Sequence, residues 1–200
     1  MQQDTRAMGE PVLKKEATYA DLEAVPAHLV AEILGGELFT HPPPAPKHAV
    51  ASFALSTALG PPFQMSRGGP GGWIFMIEPE LHFGRDVIVP DLAGWWTERL
   101  PKLPDTMWIE TPPDWVSEAL SPATERRDRT IKRKIYARAG VSHYWLLDAR
   151  VRQLEVFELR DGKWLLIDTF NDDAKVAVPP FAAIAFNLAQ LWPFDKFDKS

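Results

Sequence analysis

No cysteine occurs among the 200 residues. That excludes a disulfide scaffold, a cysteine nucleophile and any thiolate zinc site, and it suits a cytoplasmic protein. The opening segment, MQQDTRAMGEPVLKKEA, lacks the apolar run of a signal peptide. The longest apolar stretch, 179–192, is too short to span a membrane and contains Asn187 and Gln190. A basic balance is missing as well. The net charge is −5, so no global positive field draws the chain to nucleic acid, and any such contact must come from a local patch. No HExxH or GxSxG pattern is present. The glycine-rich stretch 66–72 (SRGGPGG) lacks the Lys-Ser/Thr of a phosphate-binding loop and precedes a strand, so it reads as a hairpin connection. His28, His41, His48, His82 and His143 show no metal-ligand spacing.

What the chain does carry is a local concentration of positive charge. Between Pro122 and Arg138 stand Arg126, Arg127, Arg129, Lys132, Arg133, Lys134 and Arg138, against Glu125 and Asp128. Seven basic against two acidic residues make this segment +5 and leave −10 for the rest. A solvated helix face and a nucleic-acid contact are both open readings of it. Prolines number 19, about twice the usual share.

Residues 1–17 are polar and aperiodic and read as a flexible arm. Thr18 suits an N-cap for a short helix that Pro26 interrupts. Residues 29–40 read as a hairpin turning at Gly35-Gly36. His41 to Pro46 must be extended, since consecutive prolines supply no N–H donors. A helix is expected over 47–59, with Val50, Phe53, Ala54, Thr57 and Ala58 recurring on one side and Gly60-Pro61-Pro62 stopping it. Strands follow at 73–77, 87–91 and 115–120, then a helix over 124–139 closed by Gly140 as a left-handed cap. His143 to Asp148 is a further strand, and 153–159 and 163–168 form a hairpin across Asp161-Gly162. Residues 179–192 read as a loop with a closing helical turn. The pattern is α/β (α+β), with helices packed around one sheet. Trp95, Trp96 and Trp145 read as core or as a dimer contact.

Strand periodicity then picks out two acids. In 115–120, Val116, Glu118 and Leu120 share a face, which sets a carboxylate among buried apolar neighbours. In 87–91, Val87, Val89 and Asp91 align in the same way. On the helix that follows, Ile131, Ile135 and Ala139 form an apolar stripe that includes Asp128. Lys132 lies about 60° from its centre, nearer the sheet than Arg133 or Lys134. The spacing leaves two readings of Lys132 open, a stem lying along the boundary and an ammonium aimed at Asp91 and Glu118. Two carboxylates with a lysine and a basic rim suit Mg²⁺-assisted attack of water on a phosphodiester.

The segments 32–38 (EILGGEL), 43–48 (PPAPKH), 89–91 (VPD) and 113–124 (PDWVSEALSPAT) occur in order, followed by Asp128-x3-Lys132-x3-Tyr136 and a run to Asp148. In these the chain resembles the Uma-type family of restriction endonucleases, long catalogued as a domain of unknown function, within the PD-(D/E)XK nuclease superfamily. The resemblance spans residues 18 to about 192, which it implies is one nuclease domain, with 193–200 a tail. It implies a restriction-endonuclease-like core, a mixed central β-sheet flanked by helices, with an N-terminal and a C-terminal hairpin added. It implies Asp91 and Glu118 as ligands of Mg²⁺ or Mn²⁺. The superfamily's lysine usually lies two residues after the acid, but that position here is Leu120. In the family the lysine lies on the following helix, which matches Lys132. Glu37 matches an additional acidic residue near the site, and Glu32, His48 and Ser121 match further positions with no assigned role. One departure is Ser117-Glu118-Ala119, where relatives commonly carry a second β-branched residue.

Three readings follow. The first is an Mg²⁺-dependent DNA endonuclease with Asp91, Glu118, Lys132 and Glu37 catalytic. Arg126, Arg127, Arg129 and Arg133 would contact phosphates, and a homodimer would cut both strands. The second is a catalytically silent nucleic-acid-binding or regulatory module on the same fold. The third makes Asp91 and Glu118 structural partners of the helix arginines.

Overall fold

The computed structural model describes residues 14–193. Of the arm expected over 1–17, residues 1–13 lie outside the described residues, while Lys14–Lys15 (β1) pair with Leu38 and Glu37. The tail from 194 onward also lies outside them.

Helix α1 (Tyr19–Glu23) begins as expected at Thr18, whose N–H and hydroxyl both donate to Asp21 Oδ2. Strands β2 (Val30–Leu34) and β3 (Glu37–His41) form the hairpin across Gly35-Gly36, where positive φ at both residues suits glycine. The proline run then leads into α2 (Pro46–Leu59).

Two expectations about α2 are corrected. The side that packs inward is Ala51, Leu55 and Leu59, whereas Val50 and Phe53 are exposed. Nor do the prolines end the helix. A π-helical turn, Gly60–Gln64, continues it and closes with Met65 N–H donating to Gly60 O.

The 87–91 strand is also revised. Strands β5 (Leu81–Phe83) and β6 (Asp86–Ile88) make a hairpin across Gly84-Arg85, and β6 ends before Pro90. Residues 89–91 are a connection into β7 (Leu92–Trp96), a strand the sequence pattern does not announce.

The expected mixed central sheet is present, and further strands form a second sheet and a short ribbon. A six-stranded mixed sheet runs β11-β10-β9-β8-β7-β4, with β4 at Trp73–Ile77, β8 at Trp115–Ala119, β9 at His143–Asp148, β10 at Gln153–Arg160 and β11 at Lys163–Asn171. Its one parallel pair is β8 with β9. A five-stranded antiparallel sheet runs β1-β3-β2-β6-β5 and contains the N-terminal hairpin. A two-stranded ribbon, β12 (Lys175–Val176) with β13 (Phe186–Asn187), leads to a closing 3₁₀ turn, Leu188–Leu191.

A parallel pair needs a crossover, and here it is the helical segment 125–139. It consists of α3 (Glu125–Arg127), a π turn (Asp128–Lys132) and α4 (Arg133–Ala139), ended by Gly140 at φ 81°. Strand β8 is buried on both faces. Trp115 and Ala119 pack toward α2 with Trp73, Trp145 and Phe181. Val116 and Leu120 pack with Ile135, Tyr136 and Tyr144 on the crossover side. Trp95 and Trp145 are core, while Trp96 is partly exposed against Trp73. Among the described residues no helix is long and apolar enough to cross a membrane.

Candidate active site

Glu118 lies in the middle of β8, the most enclosed strand, and is 3% exposed. Its Oε1 accepts from Tyr136 Oη at 2.6 Å and from Lys132 Nζ at 3.0 Å. Burial pushes its carboxyl well above the usual range, and Asp128, Asp91 and Glu32 add to this while Lys132 opposes it.

Lys132 comes from the crossover and is equally buried, at 3%. Asp128 and Lys132, the first and last residues of the π turn, are both buried. π turns inside helices recur at functional sites. Its ammonium donates to Val89 O (3.1 Å) and Glu118 Oε1 (3.0 Å) and stands 2.9 Å from Glu32 Oε1 and 3.8 Å from Asp128 Oδ1. Burial alone would lower the lysine pKa, but Glu118, Glu32 and Asp128 together raise it far above the ordinary value. The side chain is thus held as a cation among its carboxylate partners.

Glu32 reaches the lysine from β2. Its Oε1 also accepts from Val89 N–H at 2.9 Å, which ties the five-stranded sheet to the connection carrying Asp91. Asp128 is fully buried and its carboxyl is pushed up to about 6, first by desolvation and then by Glu32 and Asp91.

Asp91 is placed by the end of a ladder. Pairing between β7 and β8 runs only as far as Leu92–Ser117, so Ala119 N–H has no strand partner on that side. Asp91 Oδ2 takes it at 2.7 Å. Its Oδ1 meets His48 Nε2, on the first turn of α2, also at 2.7 Å. Burial works to lower the His48 pKa, and the hydrogen bond and charge of Asp91 outweigh it, so the net shift is upward. Ser121 follows β8 and turns the chain into the crossover, its Oγ accepting from Thr124 N–H at 3.2 Å and meeting Thr124 Oγ1 at 3.0 Å.

Asp91, Glu118, Asp128 and Lys132 line one cleft of about 460 Å³, together with His48 and Ser121. Its opposite wall is His41 and the prolines 42–44.

Not every residue singled out from sequence arrives here. Glu37 sits at the turn end of the hairpin, paired with Leu34 and Lys15, and it is Glu32 that reaches Lys132. Of the four arginines, Arg127 is buried with its guanidinium over the Phe39 ring, and Arg129 is paired with Glu125 and Glu155. Arg133 covers the Phe157 ring at 4.5 Å, which leaves Arg126 as the exposed member of the four. The carboxylates are not arginine partners either, because Glu118 is met by Lys132 and Tyr136 and Asp91 by His48 and a backbone N–H. Asp128, turned inward by the apolar stripe but given no role from sequence, and the uncharged Tyr136 both join the site. Their signal is the i, i+4, i+8 spacing of 128, 132 and 136 on one helical face.

Among the described residues no three acidic or histidine side chains stand at metal-ligand spacing. A hard divalent cation such as Mg²⁺ asks for less, since it commonly takes one or two carboxylates and fills its sphere with water and phosphate oxygens. The donor set fits that demand. Glu32, Glu118 and Asp128 converge around one ammonium, Asp91 lines the same cleft, and Glu32 Oε2 and Asp128 Oδ1 are buried without a hydrogen-bond partner.

A family model described as "Uma2: Putative restriction endonuclease" matches residues 17–190. A solved structure from Anabaena variabilis, described as a putative nuclease belonging to DUF820, superposes with a TM-score of 0.71. It is 22% identical and covers 88% of this chain and 97% of its own, which shows a shared fold. No curated protein matches.

Proposed function

The chain belongs to the Uma2 family, and from that premise we propose that it is a divalent-metal-dependent endonuclease hydrolysing phosphodiester bonds of DNA. The observation that carries the reading is the meeting of Asp91, Glu118 and Lys132, from a connection, a strand and a helix, in one cleft. Asp91 and Glu118 would hold Mg²⁺ or Mn²⁺, which when bound supplies charge stabilisation at the phosphate and acidifies water. Lys132 would orient the attacking water or neutralise charge growing on the phosphate. Its fixed positive charge suits that role. Glu32 and Tyr136 would hold the lysine and Glu118 in place, and His48 would hold Asp91.

One observation favours the second reading, a silent nucleic-acid-binding module. The Lys132 ammonium is already matched by its carboxylates and Val89 O, as in a purely structural cluster. Nicking of supercoiled plasmid by the purified chain with Mg²⁺ or Mn²⁺ separates the two. Cleavage by wild type that is lost in Glu118→Ala and Lys132→Ala supports the nuclease. DNA binding without cleavage in any metal supports the silent module.

A further inference from the structure

Beside the main cleft lies a second pocket of about 110 Å³. The two share Pro44, His48, Glu78 and Asp91, so the small pocket opens onto the same carboxylate. Its other walls include Ser52, Phe53 and Ile77. Phe53 is 67% exposed and Ile77 63%, a large investment of apolar side chain in solvent at the mouth of a polar site. Two polar atoms on its walls, Ser52 Oγ and His48 Nδ1, have no hydrogen-bond partner. The pocket thus offers flat apolar contact with hydrogen-bonding capacity at its back, which is what a heteroaromatic ring with polar edges requires.

The distribution of charge points the same way. A protein that tracks duplex DNA neutralises many phosphates with free lysines and arginines. Here Arg129 is paired with Glu125 and Glu155, Arg138 with Asp86, and Arg150 with Asp148 and Glu125. The cleft itself contributes one lysine, against Glu78, Asp91, Glu118 and Asp128. Exposed cations of the crossover such as Arg126 and Lys134 supply some phosphate contact, and with so many of the other arginines paired, affinity draws on stacking as well, which needs a base whose face is free.

We propose that an unpaired nucleobase adjoining the scissile phosphate docks in the Phe53–Ile77 pocket, so that single-stranded or locally unpaired DNA is the preferred substrate over continuous duplex. This rests on the nuclease reading above and deepens it. On such a substrate one copy of the chain suffices, because only one strand is cut.

The test uses the whole chain with Mn²⁺ and three labelled oligonucleotides of one sequence: single-stranded, fully duplexed, and duplexed with an internal unpaired bubble. Cleavage is read by gel and binding by fluorescence anisotropy without metal. The expected result is a kcat/KM at least about tenfold higher on the single strand and at the bubble than on the duplex. Phe53→Ala should raise KM on the single strand by about tenfold, equivalent to about 1.4 kcal/mol, within the range of one base–aromatic stack. Phe53→Trp should restore it. Equal or faster cleavage of the duplex overturns the inference and leaves the nuclease standing. If no DNA is cut, the nuclease reading falls, and the anisotropy arm decides this one. Tighter single-strand binding that weakens in Phe53→Ala supports it, and binding indifferent to strandedness or to Phe53 overturns it.

Discussion

Lys132 Nζ stands 3.0 Å from Glu118 Oε1, a helix residue joined to the strand residue fourteen positions before it. Position 120, two residues after the acid, is a buried leucine packed on the crossover side of the sheet. The ammonium reaches the carboxylate on that same face from the crossover helix packed over it. The βαβ crossover makes this possible, because a helix that must return over β8 to start β9 passes its inner face across Glu118.

Removing that ammonium should cost more than a surface charge would. Lys132→Met leaves Glu32, Glu118 and Asp128 facing one another without a cation, a break in a buried ion pair worth about 3–5 kcal/mol. The carboxyls would respond by taking up protons, so the deficit should shrink as pH falls. Urea unfolding of both proteins at pH 8 and pH 5 measures this. A deficit that grows toward pH 5 would contradict the account.

Tyr136 poses a smaller test of the same carboxylate. Its buried hydroxyl donates to Glu118 Oε1 at 2.6 Å. Tyr136→Phe keeps the ring packed and removes one hydrogen bond to a charged group, so stability should fall by about 1.5–3 kcal/mol. Thermal and urea unfolding would show it. An unchanged midpoint would mean that Glu118 is protonated in the folded state and exchanges one partner for another.

How much of this was legible follows from which elements are regular. The period of β8 places Glu118 among core residues, and the helical spacing turns Asp128 and Lys132 inward. Asp91 was picked out on a strand that in fact ends at Ile88, and what fixes it is the unpaired N–H of Ala119. Such a vacancy depends on how far β7 and β8 pair, which no local pattern encodes. On α2 the expected side is partly right, since Ala54 and Ala58 pack against the core, but the fully buried line is Ala51, Leu55 and Leu59, and Val50 and Phe53 lie outside it. Glu32 and Glu37 are both plausible acids, and only the hairpin register, with Leu34 opposite Glu37, leaves Glu37 at the turn. The π turn at 128–132 has no signature among its residues.

Metal binding should register as stability before any turnover is measured. A cation that binds the folded chain alone stabilises it by about 2.7 kcal/mol at a hundred times its Kd, which in a chain of this size raises Tm by roughly 5–10 °C. Mn²⁺ should therefore raise the melting temperature of wild type and leave Asp91→Asn unmoved, as followed by differential scanning fluorimetry. The same rise in both proteins would remove Asp91 from the ligand set.

Asp128 gives the clearest prediction with pH. Its carboxyl is pushed up from 3.8 to about 6 by desolvation, with Oδ1 unpartnered and 3.8 Å from the lysine. Between about pH 4 and 6 the folded chain keeps a proton there that the unfolded chain has released, so the folded state is favoured at low pH. That contribution is complete below about pH 4 and is lost as pH rises through 6. Asp128→Asn holds the shape and removes the titration, leaving Lys132 matched by Glu32 and Glu118. The metal-free variant should equal wild type near pH 4 and exceed it at pH 7 by up to about 3 kcal/mol. Urea midpoints of the two proteins across pH 4 to 7 carry the test. Wild type proving the more stable at pH 7 would show that the attraction of Lys132 for an ionised Asp128 outweighs the cost of burying it.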